Sequence, residues 1–204
     1  VGCYCGILFI LLFAAYLSMP AFSSAESVGK PIELRFAYHT PPKASTTVKW
    51  VEPWKRKVEE ATKGKVKITS YPAESLAKAR EIVAAIEGGV ADIGWIVPGY
   101  FPGRFPLTEV ITLPFVATPS AETNGRILQK LYETTPAFKK EYASMKLLYL
   151  VCTTPYFIAT NEKPVRNMDD LKGLKIRVDG NVPSRVAKTL GATPVFLPVP
   201  GIYE

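Results

Sequence analysis

Between Ile32 and Val97 the chain alternates short strand patterns with amphipathic helix patterns in the order β-α-β-α-β, and this order constrains the fold most. Ile32–Ala37 (IELRFA) alternates apolar and polar residues, the period of a half-buried strand. Val48, Val51, Trp54, Val58 and Ala61 then recur at helical spacing, with Ser45 placed as a helix N-cap, Pro53 early in the helix and Gly64 as its terminator. Val66–Ser70 reads as the next strand and Ser75–Glu87 as a second helix, with Leu76, Ala79, Ile82, Val83 and Ile86 on one face. Residues 91–97 (ADIGWIV) form a nearly continuous apolar run, as in a strand covered on both faces. Helical crossovers between successive strands predict a parallel sheet with helices on both sides.

The long loop that follows, PGYFPGRFPLTEVITLPF, is too rich in Pro and Gly for regular structure and too aromatic for a solvent loop, so it is expected to pack across a sheet edge or line a cleft. Two helices are predicted over Glu122–Tyr132 and Pro136–Ser144, and strands over Lys146–Thr153, Phe157–Thr160, Leu174–Val178 and Val195–Leu197. A helical turn starts at Asp169, and a helix is predicted over Val182–Leu190 with Gly191 as its cap. The composition shifts near Thr154–Pro155. This suggests one lobe over residues 31–154 and the start of a second over 155–204.

The first 25 residues read as a secretory signal. Gly6–Ala21 is apolar and uncharged, and Ser23, Ser24 and Ala25 suit signal-peptidase cleavage, so mature protein is expected to start near Glu26 or Ser27. A retained anchor is the alternative, although the run is short for a spanning helix. Cys3 and Cys5 fall in this segment, which leaves Cys152, in LLYLVC, to read as a small buried hydrophobe.

Composition and motifs argue against catalysis. The chain has one histidine, His39, too few for a His-rich metal site, and Cys152 lies in an apolar run rather than the electropositive setting that a Cys–His nucleophile wants. It has no phosphate loop, no GxGxxG after the first strand, and no GxSxG, HExxH or CxxC. No cofactor is expected. The net charge of +7 favours anionic partners, but the basic residues are scattered and carry no nucleic-acid recognition pattern, so they read as a solvated surface.

Six segments, in order, resemble the periplasmic solute-binding proteins of tripartite TRAP transporters: LRFAYHTPP, EEATKGKVKITSYPAESL, EIVAAIEGGVADIG, LPFV, DDLKGLKIRV and GATPVFLPVPGIYE. The resemblance implies an α/β fold of the type II periplasmic-binding kind, two lobes enclosing a ligand cleft, with the second lobe incomplete in this chain. It implies a monomeric, exported, non-enzymatic receptor. The receptor captures a small organic acid anion and passes it to a small and a large membrane subunit. A ligand-sensing domain of an ATP-driven importer or a signalling receptor is the alternative.

The resemblance also implies that Arg177 pairs with the ligand carboxylate. A guanidinium offers parallel N–H donors and keeps its charge when desolvated. His39 is a candidate polar contact, or else a side chain bonded locally. Trp95, Tyr100, Tyr156 and Phe157 are candidates for an aromatic wall, or else core. In the sialic-acid-type relatives a second arginine stands twenty positions before the first. Here that position is Phe157, which favours a more apolar monocarboxylate, a keto or aromatic acid. Gly201 stands where many relatives carry Glu.

Overall fold

The computed structural model describes residues 30–161 and 163–203. The expected signal segment and its cleavage site lie outside these residues. From Ile32 onward the chain forms one compact unit.

The first sheet has the order β2-β1-β3, all parallel, with β1 at Ile32–Ala37, β2 at Val66–Tyr71 and β3 at Ile93–Gly94. The side-chain alternation of β1 separates two cores. Phe36 and Tyr38 face one way and pack with Val51, Trp54, Val58 and Ile68, so the helix α1 (Glu52–Ala61) covers that face. Ala37 faces the other way, against Ala85 and Ala91, under the helix α2 (Ile82–Glu87). The doubly covered parallel sheet expected from the sequence is therefore present.

The helix before β2 begins at Ser45 as predicted, but Thr47–Val51 is wound as a π-helix. Pro53 accounts for this. It has no N–H to give to the carbonyl of Lys49, and its ring crowds that carbonyl, so the preceding turn widens. No side-chain hydrogen bond caps this entry, so Ser45 does not act as the predicted N-cap. The helix closes at Gly64, whose φ of +76° is the left-handed conformation that glycine adopts without strain.

Three expectations are corrected. The second helix starts at Ile82 rather than Ser75. Ala73 and Glu74 take left-handed conformations, and the Glu74 carboxylate accepts the N–H of Ala79 at 2.6 Å, holding 75–79 as a compact loop. β3 pairs at only two residues instead of spanning 91–97, because β1 ends at Ala37. The predicted strands at 146–153 and 157–160 are absent. That segment finds no strand partner among the described residues, and Leu150 N–H goes instead to the side chain of Gln129. Leu148, Tyr149, Val151 and Ile158 stand about half exposed along it.

Helices α3 (Ala121–Thr134) and α4 (Pro136–Glu141) pack Leu128, Phe138 and Tyr142 against Phe105 and Val83. Ser120 caps α3 by accepting the N–H of Thr123. Glu141 accepts the N–H groups of Leu107 and Thr108 and the Thr108 hydroxyl, and Tyr142 donates its hydroxyl to Thr108. This network anchors the aromatic loop at Leu107 and Thr108, while Leu113, Phe115 and Val116 at its end are exposed. Cys152 packs beside the same core, and burial raises its thiol pKa.

A second parallel pair joins β4 (Lys175–Val178) to β5 (Thr193–Phe196), with α5 (Asn181–Thr189) as the crossover. β4 begins one residue later than predicted. β5 begins two residues earlier and ends one residue earlier. Val178, Ala187 and Ala192 form its core.

Candidate ligand-binding site

Ligands of open α/β sheets bind beyond the carboxyl ends of the strands. His39 lies two residues past the end of β1, Trp95 directly follows β3, and Tyr100 ends the short 3₁₀ turn Pro98–Tyr100 just beyond it. Arg177 is the penultimate residue of β4. Four of the six predicted site residues thus come from carboxyl ends of two separate sheets, and Tyr100 links them.

Tyr100 is 3% exposed. One edge of its ring meets His39, with centroids 5.8 Å apart, and it meets Phe196 of β5 edge-on at 6.2 Å. Its hydroxyl accepts the N–H of Val199 at 3.1 Å. Burial raises the pKa of this phenol, while the N–H of Val199 and both the charge and an N–H group of nearby Arg177 act in the opposite direction. Trp95 meets the His39 ring edge-on at 5.9 Å, and Trp50 stacks on Trp95 at 6.5 Å. Arg80, from the loop before α2, places its guanidinium 4.2 Å over Phe196.

Between the two sheets the backbones nearly touch. A Cβ added at Gly99 would lie 2.7 Å from the carbonyl oxygen of Asp179 and 3.1 Å from the Cα of Gly180. Only glycine allows the Tyr100 turn to approach the end of β4 this closely.

Arg177 is held at one corner of its fork. Its Nε donates to the carbonyl of Leu197 at 2.7 Å, and its Nη1 lies 3.9 Å from Asp179 Oδ2, beyond hydrogen-bond length. Its Nη2 is buried with no hydrogen-bond partner among the described residues. Asp179 is occupied elsewhere, because Tyr156 donates its hydroxyl to Oδ2. Desolvation and the adjoining carboxylate push the pKa of Tyr156 above the usual phenol range, although the residue is largely exposed. Arg177 therefore keeps donor capacity that the protein does not use.

His39 is 5% exposed, and its Nδ1 has no hydrogen-bond partner among the described residues. Burial lowers its pKa, opposed by the charge of Glu74, so the ring is neutral at pH 7.

Phe157 is not brought to this cluster. It is 86% exposed, on the segment without strand pairing. Sequence reasoning missed Phe196, Asp179, Trp50 and Arg80. Phe196 and Asp179 carried a usable signal, since both flank the strand ends that supply Arg177. Trp50 carried none, because its position depends on the π-helical turn. Among the described residues no cluster of three or more His, Cys, Asp or Glu side chains could hold a metal ion.

Residues 36–204 match the family model of the bacterial extracellular solute-binding proteins, family 7. The chain belongs to this family, the TRAP-type solute-binding proteins. It is 28% identical over 194 residues to the 2,3-diketo-L-gulonate-binding periplasmic protein YiaO of Escherichia coli K12, covering 94% of this chain and 57% of that protein. Among solved structures it is similar to a marine-metagenome TRAP solute-binding protein specific for aromatic acid ligands, in complex with metahydroxyphenylacetate. That match has 37% identity and a TM-score of 0.80, over 84% of this chain and 54% of the other. A TRAP solute-binding protein from Rhodoferax ferrireducens T118, in complex with copurified benzoate, matches at 31% identity and a TM-score of 0.79, over 84% and 52%. The fold is accordingly the type II periplasmic-binding fold, and the chain spans about half the length of the relatives it matches. The family is one of receptors rather than enzymes, as the missing catalytic motifs implied.

Proposed function

We propose that this TRAP-type receptor captures an apolar, ring-bearing monocarboxylate at the carboxyl ends of its two sheets. Arg177 takes the carboxylate, and Trp95, Tyr100 and Phe196 enclose the body of the ligand. The observation that carries this reading is the buried, unpartnered Nη2 of Arg177. Only one end of the guanidinium is committed, to Leu197, so the outer N–H donors suit a carboxylate.

Two further features support a monocarboxylate. The aromatic surround offers apolar area and few additional donors. The position of a second arginine in sialic-acid-type relatives is Phe157, an exposed residue away from the cluster. Two structural relatives at 31% identity or more carry aromatic acids.

In this reading residues 31–154 and 155–204 belong to two lobes. Ligand contacts to both favour closure by differential affinity. The closed receptor acts in the periplasm and delivers the acid to the small and large membrane subunits of a TRAP transporter.

The test is mass spectrometry of acids carried through purification, followed by calorimetric titration of benzoate and succinate. Benzoate is expected to bind more tightly. Arg177→Met is expected to weaken binding at least about 30-fold, the effect of leaving a carboxylate without its charged partner (about 2 kcal/mol). Tighter succinate binding would overturn the ligand class, and unchanged benzoate binding by R177M would overturn the anchor.

A further inference from the structure

We infer that the Tyr156 hydroxyl is a positioning group: by holding the Asp179 carboxylate it keeps Arg177 open to a ligand anion, and Asp179 is a built-in competitor that limits how tightly that anion is held. This rests on the carboxylate reading of Arg177 and adds a control on its affinity.

The competitor comes from the run RVDG at the end of β4. Asp179 directly follows the strand, two residues after Arg177, so both side chains project to the same side. Asp179 Oδ2 lies 3.9 Å from Arg177 Nη1. A charge-assisted N–H···O bond is about 2.8 Å long, so the carboxylate stands roughly 1 Å short of making one. The Asp179 side chain is 14% exposed, and among the described residues no other cation lies within ion-pair distance of it. An aspartate placed this way closes on the guanidinium unless something restrains it. Its backbone is fixed, because the Asp179 carbonyl packs against Gly99, and Val178 accepts the N–H of Leu197. Rotation of the carboxylate therefore decides whether Arg177 is open or paired.

Tyr156 supplies the restraint. Its hydroxyl donates to Oδ2, the same oxygen that faces Arg177. Desolvation and the carboxylate raise the phenol pKa, so the hydroxyl keeps its proton and remains a donor. The residue as a whole is largely exposed, so its hydroxyl rather than its ring bears on the site. Residues 154–160 make no backbone hydrogen bond among the described residues, and this side-chain contact ties the segment to the end of β4. With Asp179 held back, Nη2 of Arg177 stays unpartnered. The negative charge left nearby opposes a bound anion and so moderates its affinity.

The test is calorimetric titration of benzoate into the purified protein, Y156F, D179N and the double variant, with urea unfolding to check each fold. Tyr156→Phe keeps the ring but frees the carboxylate to pair with Arg177, so binding should weaken about tenfold. Asp179→Asn still accepts the Tyr156 hydroxyl but carries no charge, so binding should tighten about threefold or more. The double variant has no carboxylate to compete, so its binding should return at least to that of the unmodified protein. A ring-packing or purely structural role for Tyr156 gives no such rescue. Y156F binding at unchanged affinity would overturn the inference, as would a double variant as weak as Y156F. Should Y156F fail to fold, D179N decides alone, and unchanged or weaker binding overturns the inference. Either failure alongside loss of binding in R177M leaves the Arg177 reading standing. Binding that survives R177M, or a protein that takes no benzoate, would remove both.

Discussion

Gly99→Ala isolates the contact on which the two-sheet site depends. The new methyl group would stand 2.7 Å from the Asp179 carbonyl oxygen, roughly 0.7 Å inside an ordinary 3.4 Å contact. The obstructing atoms are backbone, so no side-chain rotation relieves them. Gly99 does not occupy a positive-φ conformation, so alanine brings no backbone strain of its own. Either the Tyr100 turn or the end of β4 must recede, which separates Tyr100 from Arg177. Overpacking of this kind costs about 1–3 kcal/mol, and a cost falling on the ligand-binding arrangement weakens Kd by about 5- to 150-fold. Gly180→Ala is the milder control, since its methyl group would meet Gly99 Cα at 3.3 Å. Benzoate titration of both variants, alongside urea unfolding, separates the effect on the site from the effect on the fold. A folded G99A that binds within twofold of the unmodified protein would refute the claim that this backbone contact sets the site.

Glu141→Ala removes the acceptor for two backbone N–H groups and the Thr108 hydroxyl, so it should destabilise the protein by about 2–3 kcal/mol, read as a lower urea midpoint with an unchanged slope. His39 has a folded-state pKa below its unfolded value. The unfolded chain therefore binds a proton first as pH falls below about 6.5, and stability should drop across that range. The drop should be smaller in H39F, and unfolding midpoints at pH 5.5 and 7.5 measure the difference.

The sheet order and its two covered faces were legible because the pattern of β1 states both. Phe36 and Tyr38 share one parity, Ala37 has the other, and each set meets its own helix. Arg177 was legible for a similar reason, since LKIRV followed by a helix places it at a carboxyl strand end. The loop at 75–79 was not, because Leu76 and Ala79 keep a helical spacing while filling the core as loop residues. Glu74, folded back onto Ala79 from a left-handed backbone, defeats the periodicity there. The predicted strands at 146–160 failed differently. Their apolar composition suits a strand, but a strand also needs a neighbour, and a local pattern cannot report whether one is at hand.

The placement of Trp50 shows how a backbone irregularity bears on the site. In an unbroken α-helix Trp50 would stand about 40° around the axis from Trp54, four residues on, near the side that packs against the sheet. Pro53 denies Lys49 its hydrogen bond, the turn widens, and the stretch from Thr47 to Val51 is rotated relative to α1. Val51 remains in the core while Trp50, half exposed, stacks on Trp95. Trp95 in turn abuts His39, so one missing N–H at position 53 connects to the packing around an imidazole fourteen residues upstream. Pro53, read from the sequence as lying early in the helix, thereby shapes the aromatic wall and is a reason Trp50 stands against Trp95.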